Sequence, residues 1–253
     1  PAPTFAEYAA ALQTVNCTIT YSVLDEATDF AVTDAFIDAV GQDTDIVFLC
    51  QPNNPTGRIT PPALVEKLLR RCTASGAVLA VDECFLDFAA GREALTAKAF
   101  LQEYPNLILI KAFTKLYAMA GVRLGYALCG DTALLEKMRT AGQPWAVSAL
   151  AQAAGTAALD EAAYADAVRA LVAQQRPVLT SGLRALGLRV IEGSANFLLF
   201  CAPADLGQKL RQRGAVVRSC GNYPGLDDTW YRTAVRTEAE NRQLLRLMKE
   251  VLE

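Results

Sequence analysis

Short apolar runs alternate with helix-length segments along the first half of this 253-residue chain. Ile46–Cys50 and Ala77–Val81 are purely apolar and bounded by turn residues, as strands buried on both faces are. Between them, Thr60–Thr73 keeps one apolar face, and we expect Thr60 to cap this helix with Pro61 at its first position. A strand, a helix and a second strand in close succession predict a parallel sheet with a right-handed crossover, and hence an α/β fold.

Two more predicted strands, Leu107–Ala112 and Leu124–Cys129, extend this pattern before the character of the chain changes. An alanine-rich helical stretch follows, and we expect Pro177 to separate it from the next helix. Four short strands are then predicted, near 188–191, 197–201, 216–218 and 230–235. We therefore expect a large domain with a mainly parallel sheet at residues 1–165 and a smaller C-terminal α+β domain at residues 166–253.

Composition excludes several classes of function. The chain has no histidine, which removes Ser-His-Asp and Cys-His catalysis as well as histidine-ligated zinc. Its 24 basic and 27 acidic residues give a net charge of −3 without a basic tract, which argues against a nucleic-acid partner. No apolar stretch reaches the ~20 residues that span a bilayer and no signal peptide is recognisable, so we expect a cytoplasmic protein without a membrane partner. The seven cysteines lack metal-ligand spacing, and we expect buried free thiols and no metal site.

The segment FLCQPNNPTGRIT, residues 48–60, places polar residues directly after a buried strand. Ligands of open α/β sheets bind at the carboxyl ends of the strands, which is where these residues are expected. Asn54 offers both a hydrogen-bond donor and an acceptor, and a cis bond to Pro55 would fix its orientation. Taken alone, the segment is equally compatible with an ordinary turn before a helix.

The segment AVLAVDECFLDF, residues 77–88, ends a strand of apolar residues with two carboxylates. At least one of Asp82 and Glu83 is therefore expected to be partly desolvated. A desolvated carboxylate persists when it is paired with a cation. That cation could equally well be the protonated ring nitrogen of a cofactor or the guanidinium group of a structural arginine.

A third segment, LILIKAFTKLYAMAGVRLGYAL, spans residues 107–128 and offers two lysines. Lys115 follows a buried strand and the Thr114 hydroxyl, and Arg123 lies further along the same segment. A lysine in an apolar pocket near an arginine is suited to Schiff-base chemistry. A solvated lysine is the alternative interpretation, and Lys111 is a rival with less support from its surroundings.

The motifs PNNPTG, VDE-x-F-x-DF and FTK-x7-R-x-GY occur here in that order. In this combination the chain resembles, over essentially its whole length, the fold-type I enzymes that use pyridoxal 5′-phosphate, the class I and II aminotransferases among them. The resemblance implies an aspartate-aminotransferase-like large domain, pyridoxal 5′-phosphate as cofactor, and a homodimer.

The resemblance also implies roles for individual residues. Lys115 would bond covalently to the cofactor aldehyde, and Asp82 would pair with the protonated ring nitrogen. The ring hydroxyl, the phosphate and the ring face would be contacted by Asn54, by Thr114 together with Arg123, and by Phe5. The substrate would be bound by Asn196, Arg218 and Arg232.

Two positions depart from the family pattern. Many members carry a tyrosine where this chain has Phe85, so one donor to the ring hydroxyl is missing. A residue with a hydroxyl group is common where this chain has Ala112, which removes one contact to the phosphate.

The segments 143–159 and 216–245 resemble the threonine-phosphate decarboxylase branch of the family. This implies decarboxylation of L-threonine O-3-phosphate to (R)-1-amino-2-propanol O-2-phosphate in cobalamin biosynthesis. Histidinol-phosphate aminotransferase is the alternative, and an effector-sensing or scaffold domain is the non-enzymatic one. Family members are longer at the N-terminus, where they carry a phosphate-binding loop, so we expect a truncated chain that binds the cofactor weakly.

Overall fold

The computed structural model describes residues 1–253, which divide into two compact units. The central unit comprises Thr33–Gln51 and Thr60–Val168, and the terminal unit comprises Pro1–Val32, Pro52–Ile59 and Arg169–Glu253. The sequence pattern did not predict that the segments Pro1–Val32 and Pro52–Ile59 pack with the C-terminal residues. A domain boundary after residue 165 remains a prediction.

Eight strands form two four-stranded sheets: β1 Ile46–Cys50, β2 Val78–Asp82, β3 Leu107–Ala112, β4 Gly125–Cys129, β5 Arg189–Val190, β6 Phe197–Cys201, β7 Arg218–Ser219 and β8 Trp230–Ala234. The helices are α1 Glu7–Thr14, α2 Asp34–Asp38, α3 Pro62–Ser75, α4 Arg92–Leu95, α5 Thr132–Ala141, α6 Ala149–Leu159, α7 Ala162–Ala185, α8 Leu206–Gln212 and α9 Glu238–Leu252. The strands β1, β3 and β6 have the predicted bounds, and the others differ from prediction by one or two residues.

The central unit contains the sheet β1-β2-β3-β4. The strands β1, β2 and β3 are parallel, whereas β4 is antiparallel to β3 at the edge. The helix α3 joins β1 to β2 and buries Val65, Leu68, Leu69 and Cys72, the apolar face that its sequence pattern indicated. The predicted α/β fold with a mainly parallel sheet is confirmed.

The start of α3 differs from the prediction. Thr60 does not cap the helix, because its backbone N–H and C=O bond to the side chain of Gln51 at 2.8 and 2.7 Å. Pro61 is the N-cap residue with ψ 143°, and the helix begins at Pro62. A residue that precedes proline is driven to the extended conformation, so Pro61 cannot be the first helical residue.

The terminal unit contains the antiparallel sheet β5-β6-β8-β7. The amphipathic helix α9 begins with a capping box formed by Thr237 and Glu240. Its residues Met248 and Val251 are buried in a core that includes Leu198 and Phe200 of β6. The apolar stripe of α9 therefore stabilises this unit by packing.

The helix α7 continues through Pro177, so the predicted break at this residue is wrong. A proline inside a helix removes one backbone hydrogen bond. The residues that follow it, Leu179 and Leu183, are fully buried in the core of the terminal unit, and this burial offsets the loss. The break lies instead at Asp160 and Glu161, between α6 and α7.

All seven cysteines are free, but only Cys50, Cys72 and Cys220 are buried. Cys17 is exposed and the other three are half-buried. The expectation of buried thiols is therefore met by three of the seven cysteines. None of the helices combines the length and the apolar character needed to cross a membrane.

Candidate active site

Asp82 is the last residue of β2 and lies, buried, at the carboxyl end of the parallel strands. The backbone N–H of Cys84 donates to its Oδ1 at 2.9 Å. This bond orients the carboxylate at the sheet edge where ligands of open α/β folds bind.

Residues 113–124 connect β3 to β4 and carry three of the predicted cofactor-binding residues. The antiparallel register pairs Ala112 with Gly125, so the connection begins and ends beside the carboxyl end of β3. A Cβ atom at Gly125 would lie 2.8 Å from the Lys111 carbonyl oxygen, which requires glycine at this position. The fold thus returns Thr114, Lys115 and Arg123 to the same sheet edge as Asp82.

Lys115 is exposed, and its Nζ lies 4.9 Å from the centroid of the Phe85 ring. The expectation that Lys115 lies in an apolar pocket is therefore wrong in this structure, because the residue is exposed. Burial raises the pKa of the neighbouring Cys84 thiol, the Asp82 carboxylate raises it further, and the Lys115 ammonium lowers it. Asp82 and Lys115 therefore both lie near the Cys84 thiol, on which their charges act in opposite directions.

Lys111 is held in an ion-pair network. Its Nζ lies 3.7 Å from Glu83 and 3.6 Å from Asp87. The Glu83 carboxylate is fully buried and also accepts hydrogen bonds from Thr96 Oγ1 and from the backbone N–H of Ala97. The network gives Lys111 a structural role and leaves Lys115 as the exposed amine.

Thr114 and Arg123 offer donors on the same connection. The Thr114 hydroxyl is half-buried, and Arg123 is exposed in the left-handed conformation with φ 58°. The Arg123 Nη1 donates to the Ala120 carbonyl at 3.1 Å, which folds the side chain back over its own turn. The other guanidinium donors face solvent, where an anion has access to them.

In the terminal unit, Asn54 is buried and its bond to Pro55 is cis, as the sequence suggested. The Arg232 guanidinium donates to the Asn54 Oδ1. This contact joins the loop 52–59 to β8 within the unit and fixes the orientation of the Asn54 amide.

Arg232 and Arg218 are paired positions of the antiparallel strands β8 and β7. The Arg232 guanidinium also lies 5.0 Å from the centroid of the Phe197 ring. The Arg218 guanidinium lies 5.9 Å from the Tyr223 ring and donates to Asn222 Oδ1 at 3.1 Å. Neither arginine has a carboxylate partner in the chain. The two guanidinium groups therefore lie on neighbouring strands, β7 and β8, without a negative charge that compensates them.

The structure gives less support to the expected binding roles of the other candidate residues in the terminal unit. Phe5 is exposed and makes an edge contact with Tyr8 at 5.5 Å. Asn196 is half-buried, and its carbonyl accepts a hydrogen bond from the backbone N–H of Val235. Arg236, a third arginine near this strand, forms a surface ion pair with Glu240.

Sequence reasoning missed Asn53, the residue before Asn54. Its buried amide donates to the Pro3 carbonyl at 2.9 Å and to Thr56 Oγ1 at 3.0 Å, and its Oδ1 accepts from Thr4 Oγ1 at 2.9 Å. The doubled asparagine of the motif was visible in the sequence, but two of the partners of Asn53, Pro3 and Thr4, lie far away along the chain.

The donors of the central unit fit pyridoxal 5′-phosphate. Asp82 offers a carboxylate for a ring nitrogen, and Lys115 offers an exposed primary amine for an aldehyde. Arg123 and Thr114 offer a guanidinium and a hydroxyl for a phosphate. No group of three or more cysteine, aspartate or glutamate side chains is placed to hold a metal ion.

Comparison with known proteins agrees with this chemistry. The model of the family "aminotransferase class I and II" matches residues 1–247. The chain is 37% identical to threonine-phosphate decarboxylase of Salmonella typhimurium over 99% of its own length and 69% of that protein. It is 36% identical to histidinol-phosphate aminotransferase of Symbiobacterium thermophilum over 86% of its own length and 60% of that protein. The chain thus spans roughly three fifths to two thirds of these relatives.

A solved structure shows the same architecture. The histidinol-phosphate aminotransferase from Clostridium acetobutylicum superposes with a TM-score of 0.93 and 27% identity, over 99% of this chain and 76% of that one. The expected aspartate-aminotransferase-like, fold-type I architecture is confirmed.

Proposed function

Since the chain belongs to the class I and II aminotransferase family, whose cofactor is pyridoxal 5′-phosphate, we propose that it decarboxylates L-threonine O-3-phosphate. The product would be (R)-1-amino-2-propanol O-2-phosphate, an intermediate for cobalamin biosynthesis. The 37% identical relative is a threonine-phosphate decarboxylase, which supports this choice.

The observation that carries the proposal is the pair Arg218 and Arg232. Like charges on directly opposed strand positions are destabilising unless an anion compensates them. Guanidinium groups bind carboxylates and phosphates through two parallel hydrogen bonds. Threonine phosphate carries one carboxylate and one phosphate, so its anionic groups match the two uncompensated guanidinium groups in number.

Each candidate site residue of the central unit then has a role in this reaction. When bound, pyridoxal 5′-phosphate supplies the aldehyde that condenses with the substrate amine and the electron sink for the broken bond. Asp82 would keep the ring nitrogen protonated, and Arg123 with Thr114 would hold the phosphate. Lys115, the exposed amine at the same sheet edge, would deliver a proton to the substrate Cα after the loss of carbon dioxide.

The second candidate is histidinol-phosphate aminotransferase, favoured by the 36% identical relative. Histidinol phosphate carries a phosphate but no carboxylate, so it would offer one anionic group to the two arginines, whereas a 2-oxoglutarate acceptor would offer two carboxylates. In this reaction Lys115 would remove a proton from Cα instead of donating one.

The first experiment supplies the chain with pyridoxal 5′-phosphate and L-threonine O-3-phosphate and follows carbon dioxide release. The cofactor is supplied in excess because weak binding is expected, and we expect slow release by the wild type and by R236A, whose arginine belongs to a surface ion pair. We expect loss of release in R232A. Amino transfer from histidinol phosphate to 2-oxoglutarate, without carbon dioxide release from threonine phosphate, would contradict the proposal.

The second experiment separates an enzyme from an effector-sensing or scaffold domain. Incubation with pyridoxal 5′-phosphate and reduction with borohydride should label Lys115, as read by peptide mass spectrometry. The label should be absent in K115A and present in K111A, the matched control. An intact wild-type chain without the adduct would show that the enzymatic proposal fails.

We further propose that the protein acts in the cytoplasm as a homodimer, as the family resemblance implies. Sedimentation velocity tests the dimer, and a single species with the mass of one chain at micromolar concentration would contradict it.

A further inference from the structure

We propose that Asn222 is a positioning residue that holds the Arg218 guanidinium for a substrate anion while leaving its positive charge uncompensated. The inference deepens the proposed decarboxylation and rests on it for its functional meaning, since it names the residue that prepares one of the two arginines for the substrate. The contact between the two side chains is a property of the chain and is tested without the reaction.

Two neutral groups hold the Arg218 guanidinium. Its Nη2 donates to the Asn222 Oδ1 at 3.1 Å. A guanidinium group has donors only, so the amide must present its oxygen, which carries no net charge. The guanidinium also lies 5.9 Å from the centroid of the Tyr223 ring, within the ~6 Å range of cation–π attraction. The side chain of Arg218 is therefore oriented without being neutralised.

The turn that carries Asn222 is anchored on both sides. The backbone N–H of Tyr223 donates to the Cys220 carbonyl at 3.0 Å, and the N–H of Cys220 donates to the Trp230 carbonyl at 2.8 Å. Cys220, Tyr223 and Trp230 are buried in one apolar cluster. Asn222 lies exposed between two of these buried residues. Its amide is thus presented to Arg218 by a backbone that hydrogen bonds and packing fix.

Carboxylates are present in the same hairpin, but they have other partners. The Asp227 Oδ1 accepts hydrogen bonds from the backbone N–H and the Oγ1 of Thr229. The Asp228 Oδ1 lies against Gly221, where a Cβ atom would come within 2.1 Å of it. The hairpin therefore places an amide, and not one of its carboxylates, beside Arg218.

A neutral acceptor matters because the charge of Arg218 is what attracts an anion. A carboxylate in the place of the amide would form an ion pair with the guanidinium and would repel the carboxylate and the phosphate of the substrate. Charge-assisted hydrogen bonds to an anion need guanidinium donors that are oriented and not already paired with a negative charge. Arg218 has further donors besides the one that Asn222 binds, and it lies opposite Arg232.

The test replaces the neutral oxygen by a charged one. N222D keeps the size and an acceptor for Arg218 but adds a negative charge, whereas N222A removes the acceptor without adding one. N16D adds the same charge at another exposed asparagine of the terminal unit and is the matched control. Isothermal titration calorimetry at constant ionic strength measures the binding of L-threonine O-3-phosphate and of inorganic phosphate. Pyridoxal 5′-phosphate is left out, because its own phosphate would compete.

We expect N222D to raise the Kd of threonine phosphate about 5- to 10-fold and N222A about 2- to 3-fold, whereas N16D should bind as the wild type does. Without ligand, N222D should unfold at a slightly higher urea concentration than the wild type, because its carboxylate compensates the paired arginines. A merely structural role would lower both affinity and stability.

Three results would overturn the proposal. The first is a Kd of N222D equal to that of the wild type, and the second is a wild type that binds neither anion. The third is a lower urea midpoint of N222D than of the wild type and N16D, which would indicate that Asn222 is needed for the fold of the hairpin instead of the charge of Arg218.

A second measurement separates the contact from the proposed function. With pyridoxal 5′-phosphate in excess, N222D should raise the KM for threonine phosphate and leave kcat nearly unchanged, since Arg218 binds the substrate and takes no part in the bond that breaks. If the binding result holds but the wild type releases no carbon dioxide, the proposed function fails while the role of Asn222 stands. If the wild type releases carbon dioxide and N222D has the same KM, the role of Asn222 fails while the proposed function stands.

Discussion

Arg218 and Arg232 occupy directly opposed positions of β7 and β8, and each guanidinium lies over an aromatic ring, that of Tyr223 and that of Phe197. The rings and the side chains of Asn222 and Asn54 hold the two charges in place without neutralising them. Such an arrangement costs stability in the absence of an anion and provides a binding site in its presence.

Removing one of these charges should separate the two effects. Without an anion, we expect R218A to raise the free energy of unfolding by a few tenths of a kcal/mol, because like-charge repulsion across the strands is relieved. Added threonine phosphate should stabilise the wild type more than R218A, since only a bound ligand shifts the folding equilibrium. Urea unfolding with and without the ligand measures both, with R236A as control. Equal stabilisation of all three chains would contradict the anion site.

Asn53 should stabilise the terminal unit. N53A leaves the Pro3 carbonyl and the hydroxyls of Thr4 and Thr56 without this partner, and we expect a loss of about 2 kcal/mol in the free energy of unfolding. N53D keeps the acceptor for Thr4 and loses both donated bonds, so it should also be destabilised. Hydrogen exchange should become faster at residues 2–5 in both variants. Unchanged exchange there would show that Asn53 does not anchor the N-terminal segment.

Gly57 should tolerate no side chain. Its φ is 72°, and a Cβ atom would lie 3.1 Å from the Gly193 Cα. Gly214 has a φ of 78° and nothing within 4 Å, so G214A is a matched control for the backbone conformation alone. We expect G57A to cost about 1–3 kcal/mol more than G214A, because a close backbone approach adds to the conformational strain. Equal costs in thermal or urea unfolding would show that the approach to Gly193 is not limiting.

Glu83 should make stability depend on pH. Burial raises the pKa of this carboxyl above its ordinary value of 4.5, although Ala97, Thr96 and Lys111 oppose the shift. The folded state therefore holds the proton more tightly than the unfolded state. The contribution of Glu83 to the free energy of unfolding is greatest below pH 4.5 and falls as the pH rises through 4.5 to the folded-state pKa.

The variant E83Q cannot titrate at this position, so this decline should disappear. Urea unfolding between pH 4 and pH 8 compares it with the wild type and with E103Q, which removes an exposed carboxylate from the same unit. A wild-type advantage over E83Q that grows with pH would reverse the predicted sign.

The sequence was sufficient for the local elements and for the chemistry of the site. The apolar runs of β1 and β3 are formed by neighbouring residues, and these strands have the predicted positions. The motifs around Asn54, Asp82 and Lys115 indicated a cofactor because their residue types suit one. The start of α3 was misread although the cause is local, since Pro62 follows Pro61. The course of α7 was misread because the core around Leu179 is formed by residues of other elements.

Tertiary structure alone decided which groups meet. The antiparallel return of β4 places Lys115 at the same sheet edge as Asp82, and it lies over Phe85 rather than in an apolar pocket. Lys111, four residues earlier on β3, is instead bound by Glu83 and Asp87. The register of β7 and β8 sets two arginines face to face. Residue type and local propensity are encoded along the chain. Strand direction, register and burial arise instead from contacts between distant segments. Those contacts determine which charges surround each candidate catalytic residue and how exposed it is.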